Sequence, residues 1–338
     1  MKFQEFKLVI RKLNFSRLLN AAKVLSSYYL SKIFRTPIQW GLPISLSIEP
    51  TTACNLRCPE CPSGLRSFTR PTGNLKLKEF KQWIEPYKNK IWSITFYFQG
   101  EPFIHSEITE AINYAHKSGI YTMSSTNGHF LDPGLSEKIV YSGLDRLIIS
   151  IDGTDQETYQ KYRVEGNLAK VLDGVQNLVE AKSRLKSKTP YLIFQFLVVR
   201  HNEHQIPAIY KLAKAYKIDE VKLKTAQIYD YINGSSLIPE QEVYSRYKKK
   251  TDGTYRLKNR LHNYCWKLWH APVITWDGRQ VPCCFDKDAS HQFGNLSEEN
   301  IETIWSNEKY SNFRKQLMKS RKSINICQNC TEGTKVWG

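Results

Sequence analysis

From residue 44 onward, short runs of β character alternate with longer stretches in which apolar residues recur at helical spacing. The strand candidates are residues 44–48, 94–98 (ITFYF), 120–124 (IYTMS), 146–151 (RLIISI), 191–199 (YLIFQFLVV) and 220–224 (EVKLK). Helical stretches fall between them near 76–89, 106–118, 134–142, 167–184 and 204–217. The alternation predicts parallel βαβ units. Six such repeats fit an α/β fold built as a partial (β/α)6 barrel, with an open doubly wound sheet as the alternative. Either architecture puts chemistry at the carboxyl ends of the strands.

The flanks are patterned differently. Within residues 1–40, Val9, Leu13, Leu18, Leu19, Ala22, Leu25, Tyr29 and Ile33 recur at mostly helical spacing between Lys7, Arg11, Lys12, Arg17, Lys23 and Lys32. One or two basic amphipathic helices are predicted. A helix capping the main domain takes precedence on base rates, and contact with a membrane surface or a partner is the other reading. Residues 41–229 form the core. Residues 230–262, with DYINGSS and YKKKTDGTYRLKNR, lose the alternation and read as a linker. Residues 263–338 carry DG and GN turn signals and five cysteines, and read as a small stapled domain.

At 338 residues and 41% hydrophobic composition, the chain can bury one large core and a smaller satellite. It has no run of 18 or more apolar residues and no secretory signal pattern, so a cytoplasmic location is expected. The formal net charge of +17 suits an anionic partner, such as a phosphorylated metabolite, an acidic peptide or an anionic membrane, or else describes a solvated basic surface. No RNA-binding signature accompanies it, and a nucleic-acid partner is not expected.

The eight cysteines lie in two clusters towards the ends of the chain. Such clustering favours metal binding over a disulfide framework, which belongs to smaller secreted chains. In TTACNLRCPECPSG, residues 51–64, Cys54, Cys58 and Cys61 are spaced C-x3-C-x2-C after the first strand candidate. Zinc sites and fully ligated iron–sulfur cubanes take four protein ligands, so three leave one metal position open for chemistry. The next three strands are followed by, or end in, Gln99-Gly100-Glu101-Pro102, Ser125-Thr126-Asn127-Gly128 and Ser150-Ile151-Asp152-Gly153. Each tetrapeptide alone is more often an ordinary turn; their common placement with the cysteine loop gives them weight.

Over residues 44–225 these motifs resemble the radical S-adenosylmethionine (SAM) enzymes, with QGEP where that family has GGEP and Glu60 where it often has an aromatic residue. The resemblance implies that Cys54, Cys58 and Cys61 hold a 4Fe-4S cluster whose fourth iron binds the amino and carboxylate groups of SAM. It implies SAM contacts from Gln99, Gly100, Glu101 and Asn127, with Ser150 and Asp152 near the ribose and carboxylate. Arg163 matches an arginine offered to that carboxylate, the alternative being a helix surface charge.

Cys265, Gly278, Cys283, Cys327 and Cys330, with WDGRQVPCCFD and FGNLSEENIETIW, resemble the SPASM and twitch auxiliary-cluster domains over residues 263–332. The resemblance implies one auxiliary 4Fe-4S cluster on Cys265, Cys283, Cys327 and Cys330, with Cys284 spare and structural zinc as the alternative. His262, His270 and His291 flank that cluster and read first as structural histidines. The implied activity is reductive SAM cleavage to a 5'-deoxyadenosyl radical and hydrogen abstraction by a radical SAM oxidoreductase. The favoured reaction oxidises an alcohol of a sugar or aminocyclitol-like metabolite, with the auxiliary cluster as electron acceptor and a reductant such as flavodoxin or ferredoxin as donor. Peptide maturation (epimerisation or crosslinking) is the nearest alternative. A non-enzymatic zinc-stapled protein binding nucleic acid or membrane is the alternative from another class.

Overall fold

A computed structural model describes residues 3–336; positions 1, 2, 337 and 338 of the two terminal segments lie outside the described residues. All six strand candidates form within two residues of their expected ends, as β1 (Ser45–Ile48), β2 (Ser93–Phe96), β3 (Tyr121–Thr126), β4 (Arg146–Ser150), β5 (Tyr191–Val198) and β6 (Glu220–Thr225). Five short strands follow: β7 (Tyr247–Lys249), β8 (Tyr255–Leu257), β9 (Val273–Ile274), β10 (Arg279–Val281) and β11 (Gly294–Asn295). The chain divides into two units. One comprises Met1–Ala53, Phe68–Met123 and Leu261–Gly338, the other Cys54–Ser67 and Ser124–Arg260.

In the first unit the strand order is β11-β10-β9-β1-β2-β3, with the last residues of β3 passing into the second unit. β1 runs parallel to β2, Leu46 facing Ile94, and parallel to β9, Ile48 facing Ile274; β10 and β11 continue antiparallel. The cysteine-rich C-terminal segment therefore extends the sheet that begins with β1. Leu46, Ile48, Ile94 and Phe96 are buried, and Phe80 packs edge-on to Phe96 with ring centroids 5.5 Å apart. Two helices precede β1: α1 (Phe3–Ile10) and α2 (Phe15–Phe34), the latter started by Asn14, whose side chain accepts the Arg17 N–H at 2.8 Å.

In the second unit β4, β5 and β6 are parallel, and Ile148 faces Ile193, which faces Glu220. Asx caps explain where its helices begin: Asp132 before Pro133–Tyr141, Asp155 before Gln156–Tyr162 and Asn167 before Leu168–Arg184. The last of these buries Leu168, Val171, Val175 and Leu178, one face of a 3.6-residue period. The stretch expected as a linker differs from bare chain. β7 and β8 pair as an antiparallel hairpin, and Ile238 and Tyr247 are buried in a cluster with Leu56, Cys58 and Tyr162. Tyr247 closes this region by hydrogen-bonding both backbone groups of Ile228 through its hydroxyl.

One buried ion pair ties the end of β1 to the C-terminal segment within the first unit. Arg70 grips Glu49 through both carboxylate oxygens, at 2.9 and 2.5 Å, while Trp276 N–H reaches the same carboxylate and Arg70 Nε donates to the Lys287 carbonyl. Burial raises the Glu49 pKa above its ordinary value despite Arg70. Arg70→Met strands that carboxylate and is expected to cost about 3–5 kcal/mol in urea denaturation, whereas Glu49→Leu/Arg70→Met costs less than the single change. A single-variant loss under about 1 kcal/mol would show that the pair contributes little.

Candidate cluster and cofactor sites

In the second unit, the three-cysteine loop is shaped by its own backbone and by distant segments. Cys61 N–H turns back to the Cys58 carbonyl at 3.3 Å, and Leu56 N–H points at Cys54 Sγ at 3.5 Å. Arg57 N–H bonds the Val164 carbonyl at 3.0 Å, more than a hundred residues away. Glu60 has a local reason: its carboxylate accepts the Tyr229 N–H at 3.0 Å. Cys58 is buried, while Cys54 and Cys61 are half-buried against the same apolar cluster.

Arg163 stands beside this loop and is not the surface charge that its helical neighbourhood allowed. Its Nε donates to Asp152 Oδ2 at 2.5 Å and its Nη1 lies 3.7 Å from Cys58 Sγ. The Arg163 side chain is 15% exposed and that of Asp152 is fully buried. The other Asp152 oxygen accepts the Leu197 N–H at 2.7 Å, and Asn202 Nδ2 holds the Asp152 carbonyl at 2.9 Å. Burial opposes the guanidinium charge, but Asp152 and then Cys58 outweigh it and raise the Arg163 pKa. Burial in turn pushes the Cys58 thiol up, with Arg163 pulling it back towards the thiolate. This guanidinium suits a loop that must carry negative sulfur.

Asn127 completes the group, with its amide 4.0 Å from Cys54 Sγ and 2.7 Å from Asn55 Oδ1. Its geometry depends on His129, a residue that no sequence motif marks. His129 Nε2 accepts the Asn167 N–H at 2.9 Å, so the ring proton sits on Nδ1, which lies 3.1 Å from Asn127 Oδ1. Burial lowers the His129 pKa, favouring this neutral form. Ser150 ends β4, buried, two residues before Asp152.

The Gln99-Gly100-Glu101 segment belongs to the first unit. Gly100 has φ of +73°, and a Cβ there would drive into the Thr51 carbonyl and crowd that of Ala53. Glu101 N–H bonds the Ala53 carbonyl at 2.8 Å, and its carboxylate caps Phe103 N–H at 3.2 Å. The segment therefore braces the residue covalently preceding Cys54. Gln99 is buried beside it.

The C-terminal cysteines also gather within the first unit. Burial raises the Cys283 thiol well above its ordinary range, with Cys284, Cys330 and Cys265 adding to the effect. Burial first and Cys265 second push Cys327 up to about 11, and Cys330, raised by burial, reaches about 12. Without a metal these thiols stay protonated; a metal cluster would compensate the charge of the thiolates and let all of them deprotonate. Arg321 supplies local positive charge, its Nη2 3.2 Å from Cys330 Sγ and 2.9 Å from the Glu332 carbonyl. At Gly333, φ +72°, a side chain would collide with Cys265 Sγ.

Cys284 is exposed and lies 3.7 Å from Lys267 Nζ, apart in character from the four. All eight cysteines are free of disulfides. His262 and His270 stack on Tyr264 and Trp266, and His291 Nε2 meets Asn325 Oδ1, which are structural partnerships. Among the described residues, no three His, Cys, Asp or Glu side chains are grouped to share a single metal ion.

Residues 48–213 match the radical SAM superfamily, and residues 265–331 match SPASM, an iron–sulfur cluster-binding domain. Among solved structures, BtrN in complex with AdoMet and 2-DOIA is 18% identical with a TM-score of 0.53, over 86% of this chain and 94% of BtrN. SuiB of Streptococcus suis bound to S-adenosylmethionine is 14% identical with a TM-score of 0.63, over 90% of this chain and 75% of SuiB. The anSMEcpe structure with bound AdoMet is 16% identical with a TM-score of 0.59, over 85% of each chain. These likenesses carry the α/β partial-barrel fold, with its mostly parallel strands. With both domains matched in sequence and the fold shared, the chain belongs to the radical SAM superfamily, carries a C-terminal SPASM domain, and has as cofactors SAM, a SAM-binding 4Fe-4S cluster and an auxiliary iron–sulfur cluster.

Proposed function

We propose that Cys54, Cys58 and Cys61 ligate the SAM-binding cluster, that Cys265, Cys283, Cys327 and Cys330 ligate the auxiliary one, and that the enzyme oxidises an alcohol carbon of a sugar or aminocyclitol-like metabolite. When bound, the first cluster supplies the electron that splits SAM into methionine and a 5'-deoxyadenosyl radical, and the second supplies an electron acceptor. The observation that carries the reading is the buried Asp152–Arg163 pair set against Cys58, a charge arrangement suited to sulfur ligands and a carboxylate-bearing cofactor.

The residues have separable tasks. Asp152 fixes Arg163, which presents a guanidinium to the loop and, beyond it, to the SAM carboxylate. Asn127 holds the Cys54 end of the loop, and Ser150 lies at the strand terminus where ribose contacts are expected. Gln99, Gly100 and Glu101 serve the SAM amino end, with Glu101 also bracing the Ala53 carbonyl through its N–H. The closed set of four C-terminal thiols supports an electron-transfer role, because no metal position is left for substrate. The basic composition favours a substrate bearing phosphate or another anion. BtrN with 2-DOIA and SuiB with its precursor peptide mark the two substrate classes to screen, and a flavodoxin or ferredoxin in the cytoplasm would supply reducing equivalents.

Anaerobic reconstitution tests the ligand assignment. Wild type is expected to hold about eight irons per chain and to form 5'-deoxyadenosine; Cys54→Ala/Cys58→Ala/Cys61→Ala should hold about four and form none. Zinc in place of iron, without SAM cleavage by wild type, would sink the proposal. Among candidate substrates, appearance of a carbonyl product with one 5'-deoxyadenosine per turnover supports alcohol oxidation, whereas turnover of peptides alone rejects it.

Arg163→Gln provides a second test. It should leave iron content near the wild-type value yet lower SAM cleavage about 10- to 100-fold and alter the electron paramagnetic resonance spectrum of the reduced, SAM-bound cluster. Unchanged cleavage and an unchanged spectrum would reduce Arg163 to a packing role.

A further inference from the structure

The α2 helix is packed inside out. Its buried positions, Arg17, Asn20, Val24, Ser27, Tyr28 and Ser31, repeat at intervals of three and four and are mostly polar. Arg17 donates to the carbonyls of Lys12, Gly119, Lys88 and Ser118 at 2.5–3.0 Å. Asn20 brackets both backbone groups of Leu42, and Ser27 and Ser31 accept the N–H groups of Trp40 and Ile38. The helix is thus held on the first unit largely by hydrogen bonds.

Its apolar face is turned to solvent. Phe15, Leu18, Leu19, Tyr29 and Ile33 stand outward, Phe15 81% and Ile33 70% exposed. Positions 15, 18, 19, 22, 26, 29 and 33 share one side of the helix, a stripe about 27 Å long at about 1.5 Å per residue. Single exposed leucines are unremarkable, but five large apolar side chains on one side, in two groups bridged by Ala22 and Ser26, mark an interaction surface. Phe34 and Trp40, also exposed, extend the apolar surface at its C-terminal end.

The charge around the stripe identifies what covers it. Residues 6–48 hold seven Lys and Arg, of which Arg17 is buried on the opposite face, and no Asp or Glu. Near the end of α2, Lys32, Arg35, Lys315 and Lys319 line a groove of about 860 Å³ together with Asn263 and Tyr264, and no carboxylate lines it. We propose that this face docks on an anionic phospholipid bilayer, the stripe entering the headgroup boundary and the groove receiving lipid phosphate. A second copy would bring an equally basic face, and residues 6–48 hold no Asp or Glu to pair with it, so like charges oppose that occupant. Among the described residues no helix is long and apolar enough to cross a membrane, which leaves a helix lying on the surface. The proposal is independent of the substrate reading.

Flotation of the reconstituted full-length holoenzyme tests it, using vesicles of phosphatidylcholine alone or mixed with phosphatidylglycerol. Wild type is expected to float with the mixed vesicles only, and to be released by raised salt. Phe15→Ser/Ile33→Ser should lower the partition coefficient at least about tenfold, and Lys315→Glu/Lys319→Glu about tenfold. Both variants should keep wild-type circular dichroism and SAM cleavage in detergent-free buffer. Failure of wild type to float, equal flotation with both vesicle types, or unchanged flotation of Phe15→Ser/Ile33→Ser would overturn the proposal. A lipid-free dimer that the same double substitution disperses would overturn it in favour of a second copy.

Discussion

The contact on which the cysteine loop depends is the grip of buried Asp152 on Arg163. An arginine taken out of water with no counter-charge would be costly, and so would the aspartate. Here each compensates the other, with Leu197 N–H and Asn202 satisfying what remains of Asp152. That leaves one guanidinium nitrogen directed at Cys58. The pair links the carboxyl end of β4 to the loop by a rigid planar donor, which a lysine on a flexible stem could not reproduce.

The same electrostatic logic recurs at the second cysteine group by different means. Arg321 rests against Cys330 and is held by the backbone carbonyls of Tyr264 and Glu332. Lys267 faces Cys284, and Glu332 lies 3.5 Å from its ammonium. Part of the large positive charge therefore belongs to the interior economy of sulfur, where thiolates and their clusters need cations nearby. Arg314 shows the other extreme: it is buried among Trp305 and Tyr310 rings, 4.5 and 4.0 Å from their centroids, and burial lowers its pKa to about 10. Net charge alone was a blunt guide to partners because it cannot tell these residues from those on the surface.

Much of the fold could be read in advance because its strands alternate cleanly with capped helices. The six core strands came from runs of β character five to nine residues long, a signal that needs no tertiary information. β9 and β11 have two residues each and exist because β1 and β10 offer them an edge. The β7–β8 hairpin was likewise hidden in a basic, turn-rich stretch whose buried members are sparse. At the site, cysteine spacing and the three turn motifs were visible, whereas His129, Asn202, Arg321 and the Glu60–Tyr229 contact were not. Those contacts join residues separated by 9 to 169 positions, and no local pattern encodes them.

The N-terminal helix teaches a sharper lesson about amphipathicity. A periodic apolar stripe says that one face seeks a non-aqueous neighbour, but it does not say that the neighbour is the protein's own core. In α2 the decision is made by Arg17, whose four carbonyl acceptors can be met only by placing the polar face inward. The four accepting residues are half-buried while Arg17 is buried, and each of these charged hydrogen bonds contributes about 1.5–3 kcal/mol, comparable to what burying one Leu or Phe returns. Hydrogen-bond demand in a polar notch thus outweighs apolar burial within the chain, and the apolar surface is left for another medium to cover.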